Sequence, residues 1–577
     1  MRGPSGSNFG VYSFVLYILV IWMQIPVQVN CSVNGGSNCA ACTLIVSLAE
    51  QLSEIHNDTV IEGLDRLCKF LPDPYQQPCK DFMMTTAPII QQMIFDDVFT
   101  PDACCHALGY CYADPGRQEC HLYLKPKMGI RSVITRSFPD PMALKIRRQK
   151  VQNLNIDICD LLPGLKSLCN MIEKKLDTHM PIADQDEDRF STIQTLRGTH
   201  FRGRDCDDVQ KSIYPGRKPV DGDKTEDSNC NGITGVDKKT GNSYEELFCS
   251  NATNYGVGIL GDSAAAHFHL PRAWFSAVEI SLQSLEAVPM IVADEIDWPH
   301  LSAVTGYKNS SLLAPWWTDS VYLRLRDVNH CNHRDYQNIG VNGADSGSMN
   351  DSIQYTLARN PKTDQPLLLF YSLIGNDVCN GHADTIKDMT LPEDMRKRFR
   401  STLQYLDTQL PKGSHVFATG LADGRVLFDT LKDKIHPIGD WRQDITYPDI
   451  YNYLNCLESS PCSGWMTTNE TLRNFTSERA ANLSKVVQEE AKLFKPTNFD
   501  VHYMDYNIQR LIQMWTSTGG KAADIIEPVD GFHPSQVANF LLAEYYWEEM
   551  NKLVPGLFRK NPHNAEIKKL FGDQGGY

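Results

Sequence analysis

The chain has 577 residues, more than one domain usually holds, and its 42% hydrophobic content is enough to build globular cores. Its 55 basic residues stand against 70 acidic ones, a formal charge of −15. That balance excludes general binding to nucleic acid or to an anionic membrane, so an anionic ligand would need a local basic pocket.

At the N-terminus, Arg2 precedes an apolar run from Phe9 to Met23, after which the chain turns polar. The run is shorter than the roughly 20 apolar residues of a membrane span, so it reads as a secretory signal rather than an anchor helix. No later segment is long and apolar enough to span a bilayer. The 18 cysteines agree with an oxidising compartment. So do the sequons at Asn57, Asn251, Asn309, Asn350, Asn469, Asn474 and Asn482. The expected product is a soluble glycoprotein, secreted or held in intracellular vesicles.

From Cys39 to Cys111 cysteines alternate with helical patterns, such as Ile45, Leu48, Leu52 and Ile55 on one face and Ile90, Met93, Ile94 and Val98 on another. The "CAAC" at Cys39–Cys42 lacks the strand context of a redox motif and the second half of a zinc site, so structural disulfides are the better reading. The order of elements over about residues 36–115 resembles a saposin B-type domain, an all-α bundle clamped by three bridges. That resemblance implies Cys39 with Cys111, Cys42 with Cys105 and Cys68 with Cys79; the doubled Cys104–Cys105 leaves open that Cys104 takes the second bridge. It also implies lipid handling through an apolar concave face, although the helix pattern alone fits a small stapled core equally well.

"PDPMALKIRRQKVQN" then supplies Lys145, Arg147, Arg148 and Lys150, a basic cluster suited to proteolytic cleavage in a linker. A cut there would leave two chains that a disulfide must join, with Cys104, Cys120, Cys159 and Cys169 as candidates.

Three clusters of hard oxygen donors follow. Asp184, Asp186 and Asp188 alternate as the first side-chain ligands of a calcium loop do, and Phe190 falls where such a loop offers a carbonyl. Asp205, Asp207 and Asp208 form a second group, and Asp223, Asp227, Asn229 and Asn231 a third. None of the three keeps the full EF-hand pattern of a glycine at the sixth position and a glutamate at the twelfth, and one such cluster alone would read as a solvated loop. Three within fifty residues point to structural Ca²⁺.

"YGVGILG" is a strand candidate ending at Gly-Asp-Ser, with Ser263 ahead of an alanine-rich helix start. The same order of strand and turn recurs at Gly343 in "YQNIGVNGADS" and at Asn376 in "LLLFYSLIGNDV", while "EPVDGFHPSQ" brings Asp530 and His533 before a helix. Four such blocks in order resemble the SGNH or GDSL hydrolase family. The resemblance implies Ser263 as nucleophile, His533 as its general base and Asp530 orienting that histidine, with an oxyanion hole of the Ser263 and Gly343 amides and the Asn376 side chain. His267, His269 and His382 lie near these motifs but read as ordinary surface or core histidines.

"GVGIL", "QNIGV", "PLLLFYSLI", "HVFAT" and "FDVHYM" alternate with helical segments, which predicts an α/β domain with a parallel sheet flanked by helices. Between Ser263 and Gly343 an insertion with Trp274, Trp298, Trp316 and Trp317 either walls an acyl pocket or simply packs.

The chain thus divides into a signal with or without a short propeptide (1–30), a saposin-like domain (36–115), a linker with the basic site (116–175), an Asp-rich segment (176–250) and a hydrolase domain (251–577). This combination resembles, over nearly the whole chain, secreted esterases that remove secondary acyl chains from the lipid A part of bacterial lipopolysaccharide. The resemblance implies lipopolysaccharide as partner, with transient contact to a lipid micelle or membrane. A phospholipase or lysophospholipase on the same scaffold would use the same triad. A lipid-binding protein with a dead hydrolase domain would need none of the Ser, Gly, Asn, Asp and His set.

Overall fold

A computed structural model describes residues 33–96, 98–127, 129–137, 178–379, 381 and 385–577. The expected signal, the basic cluster from Lys145 to Lys150, Cys159, Cys169 and His382 lie outside the described residues.

The N-terminal part is a bundle of α1 (Gly36–His56), α2 (Val60–Phe70), α3 (Asp73–Phe95) and α4 (Pro101–Leu108). Side-chain caps set the starts of α2 and α4. Thr59 and Glu62 form a reciprocal capping box at α2, and the Thr100 hydroxyl accepts from the Ala103 amide at α4. Gly109, in the left-handed region, ends α4 and returns the chain toward α1. Three disulfides, Cys39–Cys111, Cys42–Cys105 and Cys68–Cys79, clamp the bundle in the pattern the saposin resemblance implied. Adjacent residues on a helix point about 100° apart, so only one of Cys104 and Cys105 can face Cys42, and it is Cys105.

The larger part is built on a five-stranded sheet of β1 (Gly256–Gly261), β2 (Tyr336–Gly340), β3 (Leu367–Ser372), β4 (Ser414–Thr419) and β5 (Phe499–Met504). All pairs are parallel, in the order β2-β1-β3-β4-β5. These are the five apolar runs picked out in the sequence. The edge strand β5 alternates Phe499, Val501 and Tyr503 with Asp500 and His502 and is partly open to solvent, whereas β1 to β4 are buried along their whole length because both faces are covered, as parallel sheets require. Neighbouring residues of β3 show it. Tyr371 packs on Phe399 of α5 (Pro392–Gln409), while Phe370 packs on Tyr546 of α6 (Gln536–Leu553). The free edge of β2 is covered by the Asp-rich segment, where the Asn338 amide donates to Phe201 O at 2.6 Å and the Gly203 amide to Tyr336 O at 2.9 Å. Cys206–Cys230 and Cys249–Cys331 fasten that segment within itself and to the sheet domain.

The two parts share one apolar cluster, in which Leu44, Leu48 and Leu52 of α1 meet Ile438, Ile450 and Leu454 of the sheet domain. Polar contacts rim it. Arg442 pairs with Glu50 at 2.9 Å and with Glu54, Gln51 Nε2 donates to Ile438 O at 2.7 Å, and Tyr453 hydroxyl meets Thr43 Oγ1 at 2.9 Å. Cys120–Cys456 adds a covalent link across the same face. Among the described residues, no helix is long and apolar enough to cross a membrane.

Candidate active site

The sheet order reverses between β1 and β3, and ligands of open parallel sheets bind outside the carboxyl ends of the strands at such a reversal. Ser263 follows β1 there, Asn376 follows β3, and Gly343 follows β2. The serine is aimed by tight packing. A Cβ on Gly261 would collide with Ala265, and one on Gly340 with the backbone of Ala266, so only glycines let the short helix Ser263–Ala266 sit against the strand ends. Asp262 braces the turn from beneath, its carboxylate accepting from the Ala264 amide at 3.0 Å and from the Ile374 amide at 2.7 Å.

Asp530 and His533 come from the loop before α6. The Asp530 carboxylate accepts from the amides of Phe532 at 2.8 Å and His533 at 3.1 Å, folding the loop back, and then from His533 Nδ1. His533 Nε2 lies 2.7 Å from Ser263 Oγ. Burial works against the Asp530 charge, but His533 and the surrounding hydrogen bonds outweigh it and hold the carboxyl below its ordinary value. Ser263 can therefore give its proton to a histidine whose other nitrogen is fixed by an ionised carboxylate, the arrangement of an activated serine nucleophile. The loop is held from outside as well, by Tyr447 hydroxyl on Pro528 O at 2.6 Å and Tyr451 hydroxyl on Gly531 O at 2.8 Å.

Gly343 is left-handed, with φ 75, at the turn after β2. Asn376 Nδ2 donates to Ala344 O at 2.9 Å, so the asparagine lies against that turn. Its neighbour Asp377 accepts from the Ser346 amide and hydroxyl, which locks the β2 and β3 loops together. Ser263, Asn376 and His533 all line one pocket, whereas Gly343 is not part of its wall; the turn that holds Gly343 is tied to it through the Asn376 bond to Ala344 O. The rest of the cavity wall is apolar: Leu427, Trp465, Leu511, Ile525, Ile526 and Phe532 among others. An apolar slot beside a nucleophile suits an acyl chain, with the ester carbonyl held next to Ser263.

The aromatic insertion does not wall this cavity. Trp298 is buried in a separate cluster with Leu270, Leu301 and Val529, its Nε1 donating to His269 O at 2.9 Å. Trp274 donates to Ser284 O, while Trp316 and Trp317 are 67% and 56% exposed. The tryptophan that lines the cavity is Trp465, from a segment some two hundred residues later. Its placement depends on Gly424, where a Cβ would strike the Trp465 ring. His267 and His269 are buried, and desolvation lowers both, His269 to about 4, so they stay neutral.

Two of the three oxygen clusters gather tightly. Asp184, Asp186 and Asp208 form one group and Asp186, Asp188 and Asp205 another, in each of which the ligand atoms lie within 4.8 Å of one another. Asp184 Oδ1, Asp186 Oδ2, Asp188 Oδ2 and Asp205 Oδ2 are buried without a hydrogen-bond donor. Burial, then backbone hydrogen bonds opposed by neighbouring carboxylates, sets Asp188 at about 8 and Asp205 at about 6. Orphaned oxygens forced together fit a hard cation. Phe190 is buried beside them, its amide donating to Asp188. Asp207 lies outside both groups and accepts from Val209 and Gln210. In the third cluster Asp227, Asn229 and Asn231 accept from backbone amides, and Asp223 Oδ2 lacks a donor. Glu245, which the spacing argument missed, joins this cluster by accepting from Asn229 and Asn231 at 3.2 and 3.0 Å. It arrives from a helix start, outside any alternating pattern.

Known proteins match this architecture. A family model described as GDSL-like Lipase/Acylhydrolase matches residues 257–546, and one described as Saposin-like domain matches residues 38–170. The acyloxyacyl hydrolase of Homo sapiens is 42% identical over 554 residues, covering 95% of this chain and 94% of that protein. The acyloxyacyl hydrolase of Oryctolagus cuniculus is 43% identical over 548 residues, covering 93% of each. Prosaposin of Mus musculus is 32% identical over 89 residues, 15% of this chain and 16% of that protein.

Proposed function

Because this chain belongs to the acyloxyacyl hydrolase family, we propose that it is a serine esterase that removes secondary, acyloxyacyl-linked fatty acids from the lipid A part of lipopolysaccharide. The observation that carries this reading is the Ser263–His533 contact at the wall of an apolar cavity. Ser263 Oγ attacks the ester carbonyl of the secondary chain while His533 Nε2 takes its proton. Charge on the carbonyl oxygen is met by the Ser263 and Gly343 amides and by Asn376 Nδ2. The intermediate collapses as His533 returns the proton to the departing alkoxide, the hydroxyl of the primary chain. Water, deprotonated by the same histidine, then frees the fatty acid from Ser263. The saposin-like part, docked on the sheet domain through α1, would supply lipid contact.

Three further features belong to this reading. The two carboxylate groups around Asp186 and the Asp223–Glu245 cluster would hold structural Ca²⁺, which supplies no step of the hydrolysis. Cleavage at the basic cluster would give two chains joined by Cys120–Cys456, since the bridge spans the linker. Entry into the secretory pathway accounts for the disulfides and for sequons that sit on exposed Asn57, Asn251, Asn309, Asn469 and Asn482.

The test is fatty-acid release from purified lipopolysaccharide and from a phospholipid, by wild type and Ser263→Ala. Ser263-dependent release from lipopolysaccharide supports the assignment. Release from phospholipid alone would transfer the substrate to a phospholipase.

A further inference from the structure

Glu527 takes no part in the proton transfers above, yet it is fully buried behind Asp530. Its Oε2 accepts from the amides of Val529, at 2.9 Å, and Asp530. Its own amide donates to His533 O at 2.8 Å, so the residue is stitched to both catalytic positions of the loop. No N–H or O–H donor reaches Oε1, and among the described residues no lysine or arginine forms an ion pair with it. An ionised carboxylate there would be a buried, uncompensated charge facing the Asp530 charge, which is costly. A carboxylic acid is not: its O–H can point at the Asp530 carboxylate.

The surroundings agree. Burial and then the Asp530 charge push the Glu527 carboxyl well above its ordinary range, while a hydrogen bond from Glu527 helps to keep Asp530 low. Tyr447 and Tyr451 have their hydroxyls committed to Pro528 O and Gly531 O, His436 Nε2 meets Val529 O at 2.6 Å, burial keeps His269 neutral, and Arg272 is engaged by Asp440. None of them offers Glu527 a counter-charge.

We propose that Glu527 is a positioning residue, its carboxylic acid donating to the Asp530 carboxylate while its other oxygen fastens the Val529 and Asp530 amides, so that His533 stays in register with Ser263. The proposal rests on the assignment of the triad. A displacement of about 1 Å in such a group can cost about 100-fold in rate, which sets the scale of the effect.

The test compares Glu527→Gln, which keeps an acceptor for the amides and a donor toward Asp530, with Glu527→Met, which fills the space and offers neither. Two quantities are read: kcat and KM on a water-soluble ester, and the rate at which a fluorophosphonate labels Ser263. Glu527→Gln should stay within about threefold of wild type in both, and Glu527→Met should lose about 30- to 100-fold in kcat and in labelling with KM little changed. Activity retained by Glu527→Met would reduce the residue to packing and overturn the proposal. Loss in Glu527→Gln equal to that in Glu527→Met would overturn it too, because it would mean that the negative charge is needed. Should Glu527→Met fail to fold, Glu527→Leu, which also fills space and offers neither donor nor acceptor, takes its place and is read in the same two directions. Failure of the triad itself is separate: it would appear as activity retained by Ser263→Ala.

Discussion

Removing the side-chain donor of the oxyanion hole isolates transition-state stabilisation from binding. In the free enzyme one hydrogen of Asn376 Nδ2 is committed to Ala344 O at 2.9 Å, which leaves the second for the cavity that Ser263 also lines. Asn376→Ala deletes one of three donors and leaves the Ser263 and Gly343 amides in place. Loss of one such donor typically costs about 10²–10³ in kcat, or about 2.7–4 kcal/mol, because the charge it meets exists only in the transition state. KM should move by less than about threefold, since the ground-state carbonyl carries little charge. Asn376→Asp should be worse than alanine, as it replaces a donor by a negative charge facing the oxyanion. The assay is steady-state hydrolysis of a soluble ester, with a melting curve to show that the turn at Ala344 survives. A fall in kcat of less than tenfold in a folded Asn376→Ala protein would refute the assignment of Asn376.

Chelation of calcium should lower the melting temperature on the order of 5 °C, because an ion bound only by the folded state stabilises it by mass action; an unchanged curve after verified chelation would reduce the Asp clusters to ordinary loops. Asp102 in α4 is buried, and desolvation raises its carboxyl to about 7 despite bonds from the Leu122 and Tyr123 amides. A carboxyl raised in the folded state binds more protons there than in the unfolded chain, so the small domain should lose stability as pH rises from about 4 to about 7. Asp102→Asn should flatten that slope in melts across this range, and an unchanged slope would refute it. Cys456→Ser should let the two pieces of a linker-cleaved protein separate on a non-reducing denaturing gel, where the wild type runs as one band; co-migration of the pieces would contradict Cys120–Cys456 as the link.

The sheet and its catalytic blocks were legible because each is local. An apolar run ending in a glycine turn marks a strand end within ten residues, and the four blocks keep their order along the chain. The cavity was not legible. Its wall is drawn from Asp262 to Ala538, and no periodicity links Leu427, Trp465 and Leu511, whereas the tryptophans nearest Ser263 in sequence pack elsewhere. The choice between Cys104 and Cys105 and the partner of Cys120 depend on which face of a helix or domain is turned inward, which only tertiary packing decides. Glu245 and Glu527 escaped for a related reason: each is a lone carboxyl whose role comes from what it is buried against.

The central claim concerns which ester is cut. Mass spectrometry of the lipid A recovered after digestion of lipopolysaccharide tests it most directly, with Ser263→Ala as the control. The account predicts products that have lost only secondary chains, with every primary chain retained, and no change with Ser263→Ala. Loss of primary chains, or the same secondary-chain loss with Ser263→Ala, would contradict it.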